Sequence, residues 1–244
     1  MAHGSDTPAS VRSTGGGQGA NTAAWLAHAG AAVTLVGAVG ADEAGAARVE
    51  ELAHAGVTCA VRRWPEAATG TVIVLTEGED RTMVTDRGAN ALLRPSDVDE
   101  ALAGALDGDH LHLSAYPLLD RASRPAGRHA LAAARACGLT TSVDVASAEP
   151  LRRAGGAAVL EWVRGADLLF ANADEAAVLA GPGDPATQAA TLARSTGGSA
   201  VVKLGAGGAV WAGPGDALVR LAAPAARVVD PTGAGDAFAA ALLA

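Results

Sequence analysis

Val228–Phe238 reads VVDPTGAGDAF, and the chain continues as AAALLA to Ala244. Gly233, Ala234 and Gly235 come just before an apolar, alanine-rich segment with a helical pattern. Glycines at a helix start let successive backbone N–H groups converge on one point, and the helix dipole adds positive potential there. The amides from Gly233 to Asp236 therefore read as an anion hole. Asp236 stands in the first turn of the same helix, beside the anion it would otherwise repel. Two readings of that carboxylate stay open. As an N-cap it is ordinary. As a general base it takes a proton from a substrate hydroxyl while the amides hold a developing phosphoryl charge.

A second glycine cluster lies near the other end. Thr14–Asn21 reads TGGGQGAN and runs into TAAWLAHAG. The spacing Gly15-x-Gly17-x-x-Ala20 fits the dinucleotide pattern, which must follow a buried strand and needs an acid about 20 residues on. The preceding MAHGSDTPASVRS is no hydrophobic strand, and Asp42 is a loose match for the acid. A nicotinamide cofactor is set aside on that ground.

Composition narrows the class. The chain has 244 residues, 50% hydrophobic and 18% charged, with a formal net charge of −8. That balance argues against non-specific nucleic-acid binding and gives no affinity for an anionic membrane. No apolar run approaches the roughly 20 residues of a spanning helix. Cys59 and Cys137 form no metal or redox spacing, which suits two small buried apolar groups in a reducing compartment. A soluble, cytoplasmic protein is expected. Lysine occurs once, at Lys203, and asparagine only at Asn21, Asn90 and Asn172, against a strong alanine and glycine bias. A specific ammonium or amide at those places is one explanation, and chance is the other.

The order of elements points to an α/β fold. A helix over 21–30 precedes the strand VTLVGAV (33–39), and 42–56 reads as a helix. TGTVIVLT and RTMVT flank EGED as a strand pair over about 70–85. Arg94-Pro95-Ser96 starts a helix, with Ser96 as the expected N-cap and Asp99 three residues on. Strands HLHLS (110–114), TTSVDV (140–145), DLLFA (167–171) and AVVKL (200–204) then alternate with helices, and another strand follows near GAVWA. Such alternation argues for a parallel sheet covered on both faces. Ligands sit at the carboxyl ends of its strands, where Asp144, Ser147, Asn172, Glu175, Lys203 and Gly205–Gly208 fall. His110 and His112 alternate on one strand face, too few ligands for a zinc site.

GGGQGAN and DPTGAGDAF together resemble the two signature motifs of the PfkB, or ribokinase-like, family of sugar and nucleoside kinases. The resemblance runs from Gly15 to the last residue and implies a three-layer α/β/α fold with a mostly parallel central sheet and a small, partial β lid. It implies ATP-dependent phosphorylation of a hydroxymethyl group on a sugar or nucleoside, with Asp236 as general base and the Gly233, Ala234 and Gly235 amides at the phosphoryl group. Gly16, Gly17, Gln18 and Asn21 match the sugar-binding cluster; ribokinase itself usually has lysine where this chain has Gln18. Asn172-Ala173-Asp174-Glu175 resembles the N-x-x-E motif that organises Mg²⁺, largely through water. A capped helix start explains the same residues equally. Lys203, Gly205 and Gly208 match the strand end and glycine turn over the ATP phosphates; a solvated strand-end lysine is the plainer alternative. Asp230 and Thr232 resemble positions around a monovalent cation such as K⁺, or else are turn residues beside Pro231. The hairpin and DRGAN (86–90) look like the lid and the segment after it, through which family members form homodimers.

Set against the family pattern, residues 1–14 are an N-terminal remnant and 15–244 the kinase domain, with the first strand, part of the lid and part of the nucleotide pocket missing. The alternative function is then a non-catalytic or impaired kinase remnant that binds sugar or nucleotide. A chain so trimmed is expected to aggregate through an unpaired strand and to turn over poorly.

Overall fold

The computed structural model describes residue 6 and residues 8–77, 80–228 and 230–244. Most of the 1–14 segment's start and two residues of the EGED turn lie outside these.

Three strand groups form. Strands β5 (His110–Ser114), β6 (Thr140–Asp144), β7 (Leu168–Asn172) and β8 (Ser199–Lys203) pair in parallel, and β9 (Ala209–Ala212) and β10 (Leu218–Leu221) extend them antiparallel, in the order β10-β9-β8-β7-β6-β5. Strands β1 (Thr34–Gly40) and β2 (Thr58–Trp64) form a separate parallel pair around the crossover helix α2 (Glu43–His54). Strands β3 (Thr71–Glu77) and β4 (Asp80–Asp86) form the predicted hairpin, Thr71 facing Asp86. Val72, Ile73, Val74, Met83 and Val84 stand exposed on it.

Side-chain alternation along β7 and β8 sets the layers. Leu169, Ala171, Ala200 and Val202 face one side. There they pack with Leu131 of α5 (Arg124–Ala136), Leu151 of α6 (Ala148–Ala154), Val159 of α7 (Gly156–Trp162), Leu179 of α8 (Ala173–Ala180) and Leu192 of α9 (Pro185–Thr196). Phe170 and Val201 face the other side and pack against Ala239 and Phe238 of α10 (Ala234–Leu243). Phe170 is fully buried, a contribution of about 1.5–3 kcal/mol. Helix α1 (Gln18–His28) packs along α10 on this second side. The three-layer architecture follows from this alternation of buried apolar positions.

Several local expectations need correction. Strand β2, TCAVRRW, has no clean apolar alternation because Arg62 and Arg63 interrupt it; Arg62 pairs instead with Asp97. Strand β10 is exposed throughout, so no pattern marks it. Helix α3 (Pro95–Leu102) is capped at Arg94, not Ser96: Pro95 takes the first helical position, and Asp97 accepts the Arg94 N–H at 2.9 Å. Neither cysteine is buried: Cys137 is exposed at the end of α5 and Cys59 is half-buried.

Two glycines are required by close approach. A side chain on Gly70, at the root of the hairpin, would meet Asn90 Nδ2 at 2.2 Å and the Arg87 carbonyl at 2.7 Å. Gly208, at the turn from β8 to β9, has φ +87°, and a Cβ there would lie 1.9 Å from the Leu221 carbonyl. Gly208→Ala should therefore destabilise the fold by about 2 kcal/mol or more, from backbone strain and steric conflict together. Urea unfolding measures it; an unchanged midpoint would show that β10 does not lie against this turn.

Candidate functional site

The last residues of β5, β6, β7 and β8 are Ser114, Asp144, Asn172 and Lys203, and parallel register brings them to one edge. A carboxylate ending β6 and an ammonium ending β8, with β7 between them in an apolar sheet, need each other, and they meet. Lys203 Nζ donates to Asp144 Oδ2 at 2.6 Å, with the two side chains 14% and 2% exposed. The solvated strand-end reading of Lys203 is thereby excluded. Asp144 Oδ1 accepts from Gln18 Nε2 at 2.8 Å and from the Ala146 N–H at 3.1 Å. The Gln18 carbonyl accepts the Ser114 hydroxyl.

Helix α1 starts at Gln18 because Gly17, at φ +101°, turns the chain into it. Gly16 and Gly17 form the exposed approach to that start, and Asn21 lies in its first turn, its N–H on the Gly17 carbonyl. Asn21 Nδ2 donates to Asp236 Oδ2 at 2.8 Å, so the two glycine motifs meet across 215 positions of sequence. Asp236 is not the cap of α10. Gly233 is, in the left-handed region, with no side-chain cap bond. The first-turn N–H groups of a helix lack intrahelical acceptors. Here the Ala234 N–H is spent on the Pro231 carbonyl at 3.2 Å, so Ala234 leaves the anion hole expected over Gly233–Asp236. The Lys203 ammonium completes it, lying 3.2 Å from where a side chain on Gly235 would begin.

Burial raises the Asp236 carboxyl above its ordinary range, and the charge of Asp144 adds to this; the Asn21 hydrogen bond and Lys203 oppose it. A carboxylate so raised would match a hydroxyl proton better than an ordinary aspartate does. Asn172 and Glu175 form a reciprocal capping box on α8: Glu175 N–H to Asn172 Oδ1 at 2.9 Å, Asn172 N–H to Glu175 Oε2 at 2.8 Å, and Asn172 Nδ2 to Glu175 Oε1 at 2.7 Å. Both Glu175 oxygens are thus engaged within the box. Among the described residues, no group of three or more His, Cys, Asp or Glu is placed to hold a metal ion. Gly205 is exposed in the β8–β9 turn, while Gly208 answers to Leu221. Asp230 and Thr232 are exposed and share an Asx turn, Thr232 N–H to Asp230 Oδ1 at 2.8 Å.

The motifs did not reveal the centre of this network. Asp144 was legible as an acid ending a buried strand but carried no role, and Ser114 carried no signal. Arg87 and Tyr116 were also missed: the guanidinium lies 5.0 Å from the Tyr116 ring centre and 4.0 Å from Asp120. His110 and His112 do share a face, both against the Ser142 hydroxyl at 2.6 and 2.8 Å. Burial holds His112 down at about 4, a neutral ring under the site.

The fold is of the ribokinase-like class. The chain matches the model of the pfkB family carbohydrate kinases over residues 2–244, and it belongs to that family. It is 35% identical over 181 residues to an ATP-dependent ribose-1-phosphate kinase of Halopiger xanaduensis, covering 71% of this chain and 56%, about half, of that relative's length. Among solved structures it resembles adenosine kinase from Sinorhizobium meliloti (30% identity, TM-score 0.84, 93% of this chain and 70% of that one). It also resembles fructokinase from Vibrio cholerae O395 bound to fructose, ADP and calcium (29%, TM-score 0.81, 93% and 75%). No helix among the described residues is long and apolar enough to cross a membrane.

Burial, followed by the charges of Asp144 and Asp174, pushes the Glu175 carboxyl up to about 7 against the opposing Asn172 N–H and Lys203. The folded value lies above the ordinary 4.5, so the native chain keeps a proton that the unfolded chain has released. Stability contributed here is present at low pH and lost as pH rises from about 4.5 through about 7. Thermal melts of wild type and Glu175→Gln should therefore diverge with rising pH, the wild type losing more. Parallel curves would contradict the buried-acid assignment.

Proposed function

We propose that the chain phosphorylates a hydroxymethyl group of a sugar or nucleoside at the expense of ATP. The observation that carries this is the convergence of Asn21, Asp236, Lys203 and the Gly235 amide at one spot. Asp236 takes the proton of the acceptor hydroxyl as its oxygen bonds to the γ-phosphorus. The bond from that phosphorus to the bridging oxygen breaks, and ADP leaves with the electron pair. Gly235 and Asp236 N–H groups donate to the transferring phosphoryl oxygens, and Lys203 supplies a positive point charge.

Asn21, freed from Asp236 by the incoming hydroxyl, and the Gly16–Gly17 backbone hold the sugar. Asn172 and Glu175 suit an outer-sphere Mg²⁺ site, since direct ligation by Glu175 would break its capping box. When bound, Mg²⁺ neutralises phosphate charge. Asp230 and Thr232 are assigned to a monovalent cation such as K⁺, and the Gly205 turn to the ATP phosphates. The names of the relatives support the acceptor class: ribose 1-phosphate, adenosine and fructose. A small, cytoplasmic metabolic role and a homodimer through the β3–β4 hairpin belong to the same proposal, the latter supported by its exposed Val72, Ile73, Val74, Met83 and Val84.

The second reading is a ligand-binding kinase relative without useful turnover. Lys203 closed on Asp144 and Asp236 bonded to Asn21 favour it. Coupled ATP turnover with ribose 1-phosphate, adenosine and fructose separates the two. Asp236→Asn keeps the side chain's shape and removes the proton acceptor, so kcat should fall on the order of 10²–10⁴ with KM little changed. Near-normal turnover in the variant would remove Asp236 as base. Lys203→Met should weaken ATP more than the sugar; unchanged nucleotide affinity by titration calorimetry would leave the lysine a purely structural partner of Asp144.

A further inference from the structure

Asp144 is the one buried charge at the site to which the transfer step assigns no task. Its carboxylate is 2% exposed at the end of β6. One oxygen takes the Gln18 amide and the Ala146 N–H, and the other takes the Lys203 ammonium. Gln18 sits three residues before Asn21, so both side chains leave the same end of α1. Its amide has a single orientation, because the carbonyl end is held by the Ser114 hydroxyl while the nitrogen end is held by Asp144. Gln18 therefore addresses the sheet rather than a ligand, unlike the substrate contact expected of it. One carboxylate thus touches both the helix that carries Asn21 and the cation beside the anion hole.

We infer that Asp144 is a positioning residue that couples sugar binding to nucleotide binding. This rests on the kinase reading above. An arriving phosphate competes with Asp144 for the Lys203 ammonium. A buried carboxylate that loses its cation depends on its remaining donors, here Gln18 and the Ala146 N–H. A sugar that pins α1 against the sheet secures the Gln18 bond, so Lys203 turns to phosphate at lower cost. Each ligand then tightens the other, by the same factor in both directions.

Titration calorimetry tests this on the 244-residue chain, with MgAMP-PNP titrated with and without whichever of ribose 1-phosphate, adenosine and fructose raises the melting temperature most. In wild type the sugar should tighten MgAMP-PNP by about tenfold, within the usual range of coupling between sites. In Asp144→Asn the ratio of the two dissociation constants should fall to about one while each ligand still binds. Gln18→Leu, which leaves the Asp144–Lys203 pair intact, should abolish the ratio in the same way and serves if Asp144→Asn does not fold. A merely structural role would lower stability and leave the ratio in place, and a ratio unchanged in Gln18→Leu would overturn the inference. A wild-type chain that binds no MgAMP-PNP would instead overturn the kinase reading, and the coupling with it.

Discussion

Burying a carboxylate costs several kcal/mol unless charged and hydrogen-bonding partners surround it, and at Asp144 three do. Satisfying that group fixes much else. Lys203 must end β8 beside β7, Gln18 must open α1 over β5 and β6, and Ala146 must turn its N–H back after the strand, which it does at φ +78°. The parallel register that aligns the strand ends is what allows one acid to be shared by α1, β6 and β8. The Asn21–Asp236 bond stands on this base, because α1 is seated by Gln18 and α10 packs along α1.

The sheet itself was legible where buried strands alternate with helices. HLHLS matches β5 residue for residue, and TTSVDV overruns β6 by one residue, Val145. Legibility failed where burial imposes no pattern. Arg62 sits in β2 because Asp97 and Glu100 offer it partners from α3, a contact between segments far apart in sequence, and Arg63 is exposed there. Exposed β10 is a strand by pairing with β9 alone. The N-cap of α3 moved from Ser96 to Arg94 because Pro95 already fixes the first helical turn and Asp97 supplies the reciprocal bond.

At the site, the glycine motifs identified both halves but not what joins them. Asp236, Asn21 and Lys203 were chosen separately, by helix-start chemistry, resemblance and scarcity, and the fold brings the three together. Their partners needed the tertiary structure: Asn21 turns to Asp236, Gln18 to Asp144 and Ser114, and Glu175 back to Asn172. Ala234 shows the converse. Sequence places it in an anion hole, yet Pro231 takes its N–H. Membership in the pfkB family agrees with this arrangement.

In the kinase reading, the spot framed by Lys203, Gly235 and Asp236 receives the transferring phosphoryl group. A crystal structure of the chain soaked with MgAMP-PNP tests it most directly. The γ-phosphate should then lie within hydrogen-bond reach, about 2.7–3.2 Å, of the Gly235 or Asp236 N–H, with Lys203 Nζ swung from Asp144 toward a phosphate oxygen. Well-ordered nucleotide phosphates elsewhere on the molecule, with Lys203 still closed on Asp144, would contradict it.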